Sequence, residues 1–338
     1  MFVKVFSFLV LALPATAAPA YANVTVVSPG DGARVVSPFW LSATASPCFS
    51  QPIAAMGYSF DNGNSTTIVN GAAVSATAGI ATGKHVLHIK SWGDQGSSCS
   101  YSINLTVVPP PISALPADAI KVAAIQTLGN WEAANDTSVG SGWSSGNMGL
   151  VNSPSLSGYA REFVTTFSNS GGERYDVSFG VDTEAQNFLY DGWIYIVPPS
   201  SAIANLEMDL NQVTPNGQTV IFGFQCDGNS RTWDFTANAG TPENPSDIWR
   251  HSTAECNPRE WSTNTWHHVQ ISYSRDGAGN ATYKSVWLDN VEQDLYVTVP
   301  SEFALGWEPI LLTNFQVDGL GANGLAKVYL DDLTVYRW

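Results

Sequence analysis

The sequence predicts an all-β protein built as two sandwiches in series, a small one and then a large jelly roll. Three observations carry that prediction. Short runs in which apolar and polar residues alternate recur from Asn23 to Trp338, the two-residue period of a strand with one face in a core. Turn residues separate the runs, and no segment of comparable length shows a 3.6-residue apolar period. Between the two sets of strands lies PPPISALPADA (109–119), whose consecutive prolines cannot pair in a sheet and favour an extended, semi-rigid connection.

Taken in order, the first element is not a strand. MFVKVFSFLVLALPATAAPAYA (1–22) has one lysine, a short apolar run and small residues at Ala18, Ala20 and Ala22, the pattern of a secretory signal removed from the mature protein. Nothing later is apolar for long enough to cross a bilayer as a helix. An exported product, extracellular or on the cell surface and without membrane insertion, is the expectation. VTVVSP (24–29), LSATASP (41–47), KHVLHIKSW (84–92) and SYSINLTVV (100–108) then read as strands of a small sandwich over 23–108. In KHVLHIKSW, Leu87 and Ile89 oppose His88 and Lys90, giving one partly wet face.

Export makes disulfides permissible, and Cys48, Cys99, Cys226 and Cys256 fall as two pairs separated by a long gap. Three pairings exist on paper, and buried free thiols are the alternative. One bridge per domain, Cys48 to Cys99 and Cys226 to Cys256, is the expected pattern. Residues 120–338 supply about ten further strands, among them GWIYIVP (192–198), ANLEMDLNQV (204–213), QTVIFGFQCD (218–227), TWDFTA (232–237) and TWHHVQISYSRD (265–276). That number exceeds an immunoglobulin unit and suits a jelly roll of two large sheets. No strand–helix alternation supports a parallel fold.

Two resemblances sharpen the picture. VTVVSPGDGARVVSP, TGKHVLHIKSWGDQG and INLTVV resemble bacterial immunoglobulin-like modules of exported proteins, which implies an immunoglobulin-like β-sandwich acting as a spacer or adhesive unit. NTWHHVQISYSRDGAGNATYKSVWLDN resembles the back sheet of concanavalin A-like lectin and glucanase domains, laminin-G-type modules included. VYLDDLTVYRW is similar to the closing strand of that fold, and LEMDLNQV and IQTLGNWEAAND extend the likeness over most of the second half. A concanavalin A-like jelly roll over 120–338 is what this resemblance implies.

Charge narrows the partners. The formal net charge is −15, from 29 acidic against 14 basic residues, and no basic cluster offers the phosphate contacts that nucleic-acid binding needs. Ten of the 12 tryptophans follow residue 109, a distribution that suits sugar rings stacked on aromatic faces as well as a large aromatic core. A polysaccharide or other glycan is the expected partner of a monomer. No cofactor is expected, with a structural calcium left open.

The site is sought in LEMDLNQV (206–213). At strand spacing Glu207, Asp209 and Asn211 project from one side, while Leu206, Met208 and Leu210 face a core. The trio is expected to line an open, solvent-filled trough. In laminarinase- and lichenase-type glucanases, which carry E-x-D-x-E or E-x-D-x-x-E, the resemblance makes Glu207 the nucleophile and Asp209 its partner. The acid/base position is Asn211 in one spacing and Gln212 in the other, and an amide cannot donate and then accept a proton as a carboxyl group does. Hydrolysis, or elimination in the same cleft, then needs an acid from elsewhere, with Glu184, Asp191 and Asp234 as candidates. Legume-type lectins hold metals with a similar E-x-D, but the Asp and His expected downstream are missing from TPNGQTVIFGFQ.

A sugar-binding face is the preferred expectation. Glu207, Asp209, Asn211 and Gln225 would supply polar groups, Gly223 would leave room for a ring, and Trp193 and Trp233 would stack on it. Carboxylates that only bond their neighbours, in a surface adhesion or structural protein, are the plain alternative. His267 and His268 alternate on a strand and so point apart. His251, beside Trp249, could line the cleft. GSGWSSG (140–146) lacks the strand-to-helix setting of a nucleophile elbow. Asn23, Asn64, Asn104, Asn135 and Asn280 begin N-x-[ST] sequons.

Overall fold

A computed structural model describes residues 23–63, 65–137 and 142–338; the signal segment, the Asn64 sequon and the start of GSGWSSG lie outside them. The protein is all-β, with strands as nearly every element. Two compact units divide it. Among the described residues, one gathers 23–28 with Ser42–Ser75 and Val86–Ile103, the other Pro29–Leu41, Ala76–His85 and Asn104–Trp338. The Pro-rich segment 109–119, the expected boundary, falls within the second of these units and carries a 3-10 turn, Pro111–Ala114.

In the smaller unit Ile53–Phe60 pairs antiparallel with Thr67–Asn70 on one side and with the Gly83–Gly93 strand on the other. Met56, Leu87 and Ile89 are buried. His88, on the opposite parity, turns outward to Ser102 and the Asp61 carbonyl, as alternation dictates. Cys48 and Cys99 are bonded with Cα atoms 6.0 Å apart.

The larger unit is a two-sheet sandwich. The first sheet runs in the order Glu132–Asp136, Gly172–Gly180, Leu311–Gly319, Ile203–Val213, Phe224–Asp227, Thr232–Asn238, Asp247–Glu255, and every neighbouring pair is antiparallel. The second runs Trp143–Val151, Ala160–Ser168, Asn323–Arg337, Asn187–Ile196, Trp266–Arg275, Asn280–Leu288, Val291–Pro300. The core lies between them because one parity of each strand is apolar. Leu206, Met208, Leu210, Phe224 and Trp233 from the first sheet meet Phe188, Tyr190, Tyr273 and Tyr283 from the second. Rings interleave across the gap: Phe222 lies 5.5 Å from Tyr273, and Phe224 5.8 Å from Tyr283, centroid to centroid. Each fully buried aromatic of this kind contributes roughly 1.5–3 kcal/mol of transfer free energy.

Cys226, on the core side, is bonded to Cys256 with Cα atoms 5.3 Å apart, within the range a disulfide spans. Both bridges join the expected partners, and the chemistry suits an oxidising compartment. His267 and His268 do point apart, one to Asp289 and the other to Asp191. Among the described residues no helix is long and apolar enough to cross a membrane.

Candidate functional site

The solvent-side face of the first sheet is assembled by register. On Ile203–Val213, the parity opposite Leu206, Met208 and Leu210 carries Asn205, Glu207, Asp209 and Asn211. Glu207 stands opposite Gln225 on one side and Gln316 on the other. Asp234 and His251 extend that row one way, and Arg174 the other. Asp209 is matched by Asn314 and then Asp176, and Asn205 by Asp227 and Asp318. The structure therefore brings Glu207, Asp209, Asn211 and Gln225 onto one face, joined by a polar set from Leu311–Gly319 about a hundred residues away in sequence.

Trp193 and Trp233 do not join them. Trp233 shares its parity with Phe235 and is 0% exposed, stacked on Phe224 in the core. Trp193 belongs to the second sheet, where its indole lies parallel to the His268 ring at 4.3 Å. Nor does Gly223 leave room for a sugar ring, since a Cβ there would sit 2.5 Å from the Thr236 side chain. The aromatic that does reach the face is Trp249, opposite Thr236 on the edge strand and 39% exposed. Its signal was in DIWRHST, where Trp249 shares parity with Asp247 and His251 and not with Ile248.

The open trough is also corrected. Glu207 is 8% exposed, and Asp209, Asn211 and Gln225 less. They are not beneath the opposing sheet, whose contacts belong to the other parity; they form a close-packed polar layer. The open groups lie at its margins, in Trp249, His251 and the Arg174 side chain.

Within the layer acceptors outnumber donors. Asp209 receives the Phe224 N–H at 2.9 Å and the Asn314 amide at 3.0 Å. The Asn205 and Gln316 amides donate to Asp318. Each of these amides thereby turns its NH2 to a carboxylate, and the Asn205, Asn314 and Gln316 carbonyl oxygens, with that of Asn211, have no hydrogen-bond partner. Burial, then the charge of Asp209 and a hydrogen bond to it, raises the Glu207 pKa well above the carboxylate range. Burial likewise pushes Asp209 up to about 7 and Asp318 up to about 7. Both shifts have the same sign: burial disfavours the charged forms of the two neighbouring carboxyls. Among the strand residues that register places on this face, Arg174 is the only arginine or lysine described, and it is bonded to Asp176 at 2.8 Å.

At one end, Asp227, Asp234 and His251 place ligand atoms within 4.8 Å of one another. Three ligands suit a zinc-type ion better than calcium, which takes 6–8 oxygens. The two carboxylates already serve the protein. Asp234 accepts from Ser230, Thr232 and His251, and Asp227 accepts the Asn229 N–H. Of the alternative acids, Asp234 stands in the Glu207 row beyond Gln225, whereas Asp191 lies on the second sheet, bonded to His268 and Gln270, and Glu184 lies beside Arg275. Gln212 faces away from Glu207, held by the Asp182 and Ala185 carbonyls and by Arg275.

Fold and face together define the class, an all-β sandwich with an acidic, acceptor-rich layer on one sheet. No protein-family model matches the sequence, and no characterised protein matches it. Among solved structures, a carbohydrate-binding module of the β-sandwich superfamily is 12% identical, covers 93% of this chain and 98% of its own, and superposes with a TM-score of 0.33. The cellulose-induced protein Cip1 is 12% identical over 61% of this chain and 90% of its own, with a TM-score of 0.36. Arcelin-5, a lectin-like defence protein from Phaseolus vulgaris, is 14% identical over 62% and 98%, with a TM-score of 0.35.

Proposed function

We propose that this is an exported carbohydrate-binding protein whose glycan site is the polar face of the first sheet, with the smaller unit serving as an immunoglobulin-like spacer. One observation carries the reading. Four amide oxygens, of Asn205, Asn211, Asn314 and Gln316, lack a hydrogen-bond partner on a face that also presents Trp249. Buried acceptors without donors cost free energy, and a hydroxyl-rich ligand brings donors. An exposed indole at the margin gives a pyranose ring an apolar surface to lie on.

Retention on a panel of immobilised polysaccharides tests the proposal. Trp249→Ala is expected to weaken retention about tenfold with thermal unfolding unchanged, and a protein retained on no glycan refutes it.

A second reading, hydrolysis, is favoured by the raised pKa of the buried Glu207 carboxyl, since a general acid must be protonated at working pH. Against it stand Asn211 at the acid/base position, the dispersal of Glu184 and Asp191, and the Ser230, Thr232 and His251 bonds that already hold Asp234. Release of reducing ends or unsaturated products, abolished by Glu207→Gln, would establish catalysis over binding alone.

A further inference from the structure

The polar face specifies more than a polyol. Carboxylates are acceptors only, and the orphaned amides present their oxygens, so its unmet need is for donors carrying positive charge. A neutral hydroxyl supplies one donor and brings acceptors with it. An ammonium group supplies three donors and none. Glu207, Asp209 and Asp318 are each more than nine-tenths buried and share the face with a single arginine, which Asp176 already occupies. Independently of the carboxylates, the Gln316, Asn314 and Asn211 amide oxygens lie on the same face, also more than nine-tenths buried and unpartnered.

We infer that the glycan is an amino-sugar polymer bearing free ammonium groups, which the acidic face prefers over N-acetylated, neutral and anionic chains. This rests on the proposal that the face binds glycan. Pyranose rings would lie on Trp249 at the margin while ammonium groups turn toward Glu207, Asp209 and Asp318. Polyuronates and sulfated chains are excluded by like charge, because an unpaired anion beside buried carboxylates costs more than its hydroxyl contacts return. Burial, with no free cation beside them among the described residues, raises these carboxyls; an ammonium would lower them again, so glycan binding would release protons.

The test compares oligomers of equal length by calorimetry on the full chain: glucosamine, N-acetylglucosamine and glucose oligomers, a uronate oligomer, and polylysine, with calcium and zinc titrated separately. The glucosamine oligomer is expected to bind about tenfold or more tightly than its N-acetylated form, with proton release and weakening by salt. Asp209→Asn and Asp318→Asn, both isosteric, are expected to erase that preference, bringing the glucosamine oligomer to the affinity of its N-acetylated form. Equal binding of charged and neutral oligomers overturns this inference and leaves the glycan reading standing; binding of none overturns both. Polylysine binding as tightly overturns it in favour of charge alone. A metal ion that binds the free protein and blocks the oligomer overturns it in favour of a metal site.

Discussion

Two buried aspartates, one on each sheet of the larger unit, behave in opposite ways. Asp331, on Asn323–Arg337, is fully buried, yet its pKa is held below the ordinary value. Burial pushes it up, but hydrogen bonds from Ser157, Leu156 and Ser155 outweigh burial, and the Gln126 amide and Asp332 N–H add to them. Asp209, 5% exposed, meets two protein donors and a carboxyl neighbour, and is pushed up to about 7. Burial is common to both; the supply of donors decides the sign. The Asp331 site is complete as a structural element, whereas the face around Asp209 is left with surplus acceptors.

Removing the satisfied carboxylate should break the contrast most severely. Asp331→Ala strands the buried Gln126 amide together with the Ser155, Leu156 and Ser157 donors and is expected to cost about 3 kcal/mol, measured by denaturant unfolding. A change under about 1 kcal/mol would mean that those donors find other partners and that the comparison is empty.

Asp209→Asn should act in the other direction. The folded pKa lies near 7 against an ordinary 3.8, so the native state holds more protons than the unfolded chain between these values. Stability contributed by this group therefore falls as pH rises from about 4 to about 7 and is level beyond. The Asn variant is expected to match the wild type near pH 4 and exceed it by one to a few kcal/mol near pH 8. Paired melts across that range check it; equal slopes would remove the case for an uncompensated carboxylate.

The smallest effect is a control between sheets. Trp193→Ala, on the second sheet against His268, is expected to change glycan retention less than about twofold. A loss matching that of Trp249→Ala would move the site to the other sheet.

The residues show why some of this was legible in the sequence and some was not. Alternation in LEMDLNQV separates Glu207, Asp209 and Asn211 from the core residues between them, because side-chain period is a local property. The disulfide pairs followed from spacing and compartment. TWDFTA groups Trp233 with Phe235, and that parity, against the expected place beside the sugar, puts its indole in the core. Trp193 is different: GWIYIVP tells which residues share its side, but not which sheet the strand joins. That depends on pairing with Trp266–Arg275 and Asn323–Arg337, distant in sequence. The same holds for Asn314, Gln316 and Asp318, whose approach to Glu207 turns an expected trough into a close-packed layer.

The interruption at Gly223 has a consequence for observing this chemistry. It separates Thr219–Phe222 from Phe224–Asp227, and the amide just after it leaves the ladder to reach Asp209. That single backbone proton is therefore an internal voltmeter. Its magnetic resonance frequency should follow the carboxylate's ionisation, reporting from within the layer when charge is gained, lost or neutralised by a guest.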